Sequence, residues 1–204
     1  MVRSYNNLYH GWINLYKDSG LTSNDALRLI KSIFKGSKLG HAGTLDPMAK
    51  GILPIALGEA TKTVPYIHEK NKTYIFAIKF GEQTDTDDST GQIIGKSDRK
   101  PDIDEIKSVL HDYVGPINQI PPIYSAKKFN GIRSYELARK GVVPDMVSKA
   151  KTVLIENIKL VEMNSDSECT IEVTCGTGTY IRSISKHIGA KMNLCCHVSR
   201  IERT

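Results

Sequence analysis

Between Thr73 and Phe80 the chain alternates cleanly. Tyr74, Phe76, Ile78 and Phe80 fall on one side and Thr73, Ile75, Ala77 and Lys79 on the other, the period of two that marks a strand. Gly11–Leu15 reads as a shorter strand, and Lys17-Asp18-Ser19-Gly20 as the turn after it. A helical period follows. Thr22 and Asp25 are spaced as a capping box, and Ala26, Leu29, Ile30 and Ile33 share one face until Gly36 stops the helix. The next stretch, GHAGTLDP (Gly40–Pro47), reads as a loop, and Glu82–Gly91 as an acidic turn. Asp102 or Asp104 caps a helix whose apolar face is Ile106, Val109, Leu110 and Tyr113, and another helix runs from Ser134 to Gly141. Val153–Met163 and Glu168–Cys175 read as strands paired around Asn164-Ser165-Asp166. Gly176-Thr177-Gly178 then leads into a helix carrying Ile181, Ile184 and Ile188. Strands and helices mix without strict βαβ alternation, so the expected class is α+β.

At 204 residues the chain is long enough for a real core. No repeat, low-complexity tract or linker divides it, so one domain over 1–204 is the simplest expectation. Its charged and hydrophobic fractions exclude a disordered tail. Lys and Arg outnumber Asp and Glu 28 to 22, a net +6 compatible with a polyanionic partner. The distribution changes the picture more than the sum does. Lys127, Lys128, Arg133, Arg139, Lys140, Lys149 and Lys151 meet only Glu136 and Asp145, so residues 121–151 hold +5 of that +6. Tyr124, Phe129 and Tyr135 are interleaved with them. Phosphate contacts beside aromatic faces are how looped RNA is gripped, and a helix with a solvated lysine face is the alternative. Cys169, Cys175, Cys195 and Cys196 lack CxxC spacing, and the start MVRSYNNLYHGW is too polar for a secretory segment. The thiols therefore read as reduced and the location as cytoplasmic. No apolar run approaches a membrane span.

Several motifs fail on inspection. Counted from Asp85, a calcium loop would need glycine at Thr90 and glutamate at Lys96. Gly176-Thr177-Gly178 lacks the third glycine of a dinucleotide turn. His187 with Cys195, Cys196 and His197 can be drawn as a zinc site, but adjacent cysteines do not readily serve one tetrahedral ion. Three positions survive: Asp46 before a proline, Tyr74 on its strand, and Arg182 opening a helix. Taken singly, an aspartate before proline reads as a turn, a strand tyrosine as core and the arginine as a surface ion pair.

The stretch GHAGTLDPMAKGILPIALGEATK (Gly40–Lys62) resembles the signature of the TruB family, the tRNA pseudouridine-55 synthases. The likeness continues through KTYIFAIKFGEQTDTDDSTG, PPIYSAKKFNGIRSYELARKG and GTYIRSI, and covers essentially the whole chain from Gly11. The resemblance implies the pseudouridine synthase fold, a central and mainly antiparallel mixed sheet flanked by helices, with an active-site cleft. It implies isomerisation of one T-loop uridine of tRNA to pseudouridine, with neither metal nor cofactor. Asp46 is then the catalytic aspartate, as nucleophile or as base at the ribose. Tyr74 packs on the target base and is the candidate for proton transfer at C5. Arg182 ion-pairs with the aspartate, and Asp88 supports that network. His41 takes the place of the flipped nucleotide, and Tyr180 and Ile201 line the pocket. Lys127, Lys128 and Arg133 belong to the RNA-gripping insertion, about 121–151. Such an enzyme needs an aromatic platform and a stacking substitute for a flipped base. The expected partner is tRNA; neither a membrane nor a protein partner is implied, and a monomer is expected.

The chain departs from the family pattern in places. The usual KPxG is Lys17-Asp18-Ser19-Gly20, and acidic residues common after the arginine are replaced by Lys186 and His187. The usual Leu-Arg-Arg-Thr is Ile201-Glu202-Arg203-Thr204, a charge reversal at Glu202. Family members usually continue into a PUA domain where this sequence stops at Thr204. The alternative function is therefore an RNA-binding or RNA-folding module with weak or no catalysis.

Overall fold

The computed structural model describes residues 8–204. The polar segment at 1–7, on which the reading of no secretory segment partly rests, lies outside the described residues. The described residues form two compact units, residues 8–70 with 202–204, and residues 71–201.

In the first unit, β1 (Gly11–Lys17) is followed by α1 (Ser23–Ile33). The predicted capping box is present in both directions, Thr22 accepting from the Asp25 N–H and Asp25 accepting from the Thr22 N–H. Its apolar face is only partly packed: Ala26 is buried, whereas Leu29 and Ile33 are 58% and 68% exposed. β2 (Leu39–His41) and β3 (Lys50–Leu57) come next, and then α2 (Val64–His68). The reading of Gly40–Pro47 as a loop is thereby corrected at its start. Gly40 and His41 are strand residues, because Gly40 pairs with Ala56 and His41 with Ile55. β1 runs antiparallel along the whole of β3, from Gly11 opposite Leu57 to Lys17 opposite Gly51.

The second unit begins with β4 (Lys72–Phe80), followed by the small hairpin β5 (Glu82–Thr84) and β6 (Ile93–Lys96). Asp102 caps α3 (Ile103–His111), and Tyr113 lies beyond the helix end although it is buried as expected. β7 (Gly115–Gln119) precedes a two-residue-stranded hairpin, β8 (Lys128–Phe129) and β9 (Ile132–Arg133). α4 spans Ser134–Arg139. β10 (Lys151–Ser165) and β11 (Glu168–Cys175) form the expected antiparallel pair, and α5 (Ile181–Lys191) buries Ile181, Ile184 and Ile188. The last strand, β12 (Cys196–Arg203), neighbours β4, giving the order β12-β4-β11-β10-β7 in this unit. α3 packs on β10 and α5 on β4. Covered in this way, β4 buries Ala77 as well as Phe76 and Ile78, so its alternation in the sequence is not an alternation in burial.

The final residues return to the first unit, where Glu202 and Arg203 pair in parallel with Lys50 and Gly51 of β3. The fold is α+β, with mixed strand pairing and flanking helices. No described helix is long and apolar enough to cross a membrane.

Candidate active site

The loop between β2 and β3 carries Asp46, and the first unit fixes its backbone almost residue by residue. Ala42, Leu45 and Ala49 are buried anchors. The Ala42 N–H donates to Pro54 O at 2.9 Å, and Arg203 donates from Nη2 to Gly43 O at 3.0 Å and from Nε to Ile52 O at 2.7 Å. The buried Ser23 hydroxyl grips both sides of Leu45, accepting from its N–H at 2.8 Å and donating to its carbonyl at 2.9 Å. Pro47 O accepts from the Gly20 N–H at 2.8 Å and from Lys17 Nζ at 3.4 Å. Ser19 donates to Met48 O at 2.9 Å. The main chain around Asp46 is thus bonded on both sides while its side chain stays half-buried. Such redundancy is how a loop holds one group in one place.

Lys17, expected in a turn, ends β1 and is only 1% exposed. Its ammonium donates to Asp18 O and Leu21 O, both at 2.8 Å. Burial lowers its pKa, and the charge of Asp46 pulls in the opposite direction. The turn closes without the family's proline because Lys17 and Gly20 both bind Pro47 O. Glu202, the charge reversal, has its own partners in Lys50 at 3.2 Å and the Tyr16 hydroxyl at 2.8 Å.

His41 is half-buried at the end of β2, and its Nδ1 is buried with no hydrogen-bond partner among the described residues. Burial lowers its pKa, and the Arg203 and His68 charges lower it further. A histidine with a depressed folded-state pKa destabilises the fold as acid charges it. Stability contributed by neutral His41 is therefore present above its usual value of 6.5 and is lost as pH falls from there. His41→Gln is expected to flatten the pH dependence of the unfolding temperature below about pH 6.5. An unchanged slope would refute this assignment.

In the second unit, Arg182 is 4% exposed, which replaces the surface ion-pair alternative with a buried network. Its Nη1 donates to Thr86 O at 3.0 Å and lies 3.6 Å from Asp88 Oδ2, and its Nη2 donates to Tyr124 O at 2.9 Å. Asp88 Oδ1 accepts from the Thr90 N–H at 2.9 Å and from the hydroxyls of Thr86 and Thr90 at 2.8 and 2.6 Å. Asp88 is thus tied to Arg182 on one side and to the Thr86–Thr90 turn on the other. Tyr74 lies on β4 opposite Val173, half-buried. Tyr180 precedes α5, and the buried Gln119 amide holds its backbone, accepting from its N–H at 2.7 Å and donating to its carbonyl at 3.1 Å. Ile201 is buried at 4% exposure.

The basic segment folds on itself. Lys128 and Arg133 are exposed on the β8–β9 hairpin, and Lys127 is half-buried just before it. Lys149 Nζ lies 5.0 Å from the Phe129 ring centre, while Arg133 and Arg139 lie 5.8 and 5.6 Å from that of Tyr135. Two of the three interleaved aromatics are thus engaged by cations of their own segment.

Sequence reasoning alone did not single out Ser23, Arg203, Gln119 or Lys17. Only Lys17 left a usable signal. Extending the β1 alternation by two residues puts it on the inward side with Ile13 and Leu15.

Comparison with known proteins identifies the frame. Residues 31–181 match the TruB family pseudouridylate synthase N-terminal domain. The chain is 46% identical over 193 residues to tRNA pseudouridine synthase B of Bartonella henselae, covering 95% of this chain and 60% of that protein. It is 44% identical over 198 residues to the protein of the same name from Wolbachia pipientis, covering 97% and 56%. Among solved structures it resembles a chain of a Cbf5-Nop10-Gar1 complex with TM-score 0.73 and 29% identity, over 96% of this chain and 48% of that one. It also resembles a chain of an H/ACA RNP bound to a substrate RNA containing 2'-deoxyuridine, with TM-score 0.70, 27% identity and coverage of 96% and 47%. The chain spans somewhat over half the length of these two curated relatives. On the family match and these identities, the chain belongs to the TruB family of pseudouridylate synthases.

Proposed function

We propose that this chain is the catalytic domain of an enzyme that isomerises the T-loop uridine at position 55 of tRNA to pseudouridine. The bond from uracil N1 to the ribose is broken, the base is rejoined through C5, the C5 proton leaves and N1 takes up a proton. Asp46 supplies the carboxylate acting at the ribose, Tyr74 packs on the base and serves proton transfer at C5, and Arg182 supplies the compensating cation. Asp88 orients Arg182; His41 fills the stack that the flipped base leaves; Tyr180 and Ile201 shape the pocket. The observation that carries this reading is the loop of residues 42–49, whose main chain is tied on both sides of a half-buried acid. The names of the relatives and the substrate RNA of the H/ACA particle agree with an RNA uridine substrate. Release of tritium from C5-labelled tRNA tests it, and no release above background from folded protein would end the reading.

Lys127, Lys128 and Arg133 are proposed to contact phosphates. With the faces of Phe129 and Tyr135 engaged, charge is the main grip left to this segment. Neutralising all three residues is expected to weaken RNA binding and to reduce the slope of log K against log salt by about 2, at about 0.7 per lost contact. An unchanged slope would move the RNA surface elsewhere. The second reading, an RNA-binding module without turnover, is favoured by this same segment, and it predicts binding without tritium release.

A further inference from the structure

α5 carries two cations one turn apart, Arg182 and Lys186, and two consecutive acids stand opposite them. Arg182 Nη1 lies 3.6 Å from Asp88 Oδ2, and Lys186 Nζ lies 3.0 Å from Asp87 Oδ1 and 3.4 Å from Oδ2. Both acids are 4% exposed. Asp87 takes φ 59°, in the left-handed region. Its N–H donates to Thr84 O at 3.2 Å, and its carbonyl accepts from the Val198 N–H at 3.1 Å. The turn that brings both carboxylates to one helix face is thereby fixed.

Burial raises the Asp87 pKa and neighbouring Asp88 adds to the rise, while Lys186 and then Arg182 oppose it. Two further titratable groups face Asp87. His187 has its own pKa lowered by burial, and the Cys196 thiol is pushed up to about 11. Neither supplies a cation near neutral pH. Charge balance around these two buried acids therefore depends on Lys186, whose side chain is 46% exposed and reaches Asp87 from the solvent side. Without it, Asp87 becomes a second buried carboxylate in the field of Arg182.

We propose that Lys186 is a positioning residue that neutralises Asp87 and so keeps the charge of Arg182 available for the isomerisation reaction. The proposal rests on the functional reading above. Lys186→Met is expected to lower kcat about tenfold at pH 7 with KM for tRNA unchanged, as for a group acting on the transition state alone. Lys186→Arg should stay within about twofold of wild type. Adding Asp87→Asn to Lys186→Met should recover most of the loss, because the stranded charge is gone.

A second readout is independent of turnover. An unpaired Asp87 has a folded-state pKa above its unfolded value. Its charged form therefore destabilises the fold at neutral pH, and the penalty fades as acid protonates it. The Tm deficit of Lys186→Met should shrink between pH 7 and about pH 4 and vanish in the Asp87→Asn background. Wild-type kcat in Lys186→Met, or a loss that Asp87→Asn does not relieve, overturns the proposal. Additive Tm changes at the two positions overturn the pairing beneath it. A wild-type chain without turnover but with non-additive Tm changes overturns the functional reading and the catalytic half of the proposal, and leaves the charge pairing supported.

Discussion

Asp46→Asn is expected to lower uridine isomerisation by at least about 10⁴-fold, the loss typical of removing a group that acts directly on the reacting atoms. The substitution is nearly isosteric, and the loop is held by bonds that do not involve this side chain. Ser23 binds the Leu45 backbone, Lys17 and Gly20 bind Pro47 O, and Arg203 binds Gly43 O. The Asp46 carbonyl still accepts from the Ala49 N–H at 3.1 Å. The substitution removes a favourable charge acting on Lys17. With the backbone bonds of the loop intact the protein should stay folded, its stability changing within the ordinary range of single substitutions, about 0.5–3 kcal/mol. RNA binding should persist, since the proposed phosphate contacts are made by Lys127, Lys128 and Arg133. Tritium release, thermal unfolding and RNA binding on the same protein separate these effects. Turnover within tenfold of wild type would remove Asp46 from the chemistry, whereas loss of folding would show that the loop depends on the carboxylate after all.

The predicted elements that the structure reproduces have local causes. The Thr22–Asp25 capping box, the Asp102 cap of α3, the β4 alternation and the isoleucine face of α5 each depend on residues within a turn or two of one another. β3 escaped because it lacks that signature. KGILPIAL reads as an apolar run interrupted by Gly51 and Pro54, and both residues ordinarily argue against a strand interior. β12 escaped because CHVSRIER is polar, yet His197 and Arg203 are buried. Pattern also shows which face of α1 is apolar without showing how much of it is packed, as Leu29 and Ile33 demonstrate.

The site residues divide along a similar line. Residue type marks Asp46, Tyr74 and Arg182 as candidates, and their roles are what the family resemblance implies. The residues that fix the site backbone act across long stretches of chain. Ser23 reaches Leu45 over 22 residues, Gln119 reaches Tyr180 over 61, and Arg203 reaches Gly43 over 160. No local period encodes such contacts. Charge at Glu202 looked anomalous for the same reason, since its partners Lys50 and Tyr16 lie far off in sequence.

Gly51 combines these themes, and Gly51→Ala is expected to destabilise the chain by about 3–5 kcal/mol, among the largest effects of a single methyl group. Gly51 takes φ 113°, where an L side chain is strained. A Cβ there would fall 2.1 Å from Arg203 O and 2.6 Å from Arg203 N. Both are backbone atoms, so no rotamer change relieves the clash, and β3 must part from β12. The two rungs that join them, Lys50 with Glu202 and Gly51 with Arg203, would be lost together. Arg203 would withdraw its guanidinium from Ile52 O and Gly43 O, loosening the loop that presents Asp46. Unfolding temperature should drop by roughly 6–20 °C for a domain of this size, with activity falling further than the unfolded fraction explains. Arg203→Met separates the two effects. It keeps the backbone pairing and removes only the tether, so it should lose activity at a smaller cost in Tm. A Gly51→Ala protein that melts within about 2 °C of wild type would show that the strands accommodate the methyl group, and Arg203→Met with wild-type activity would show that Arg203 does not set the loop.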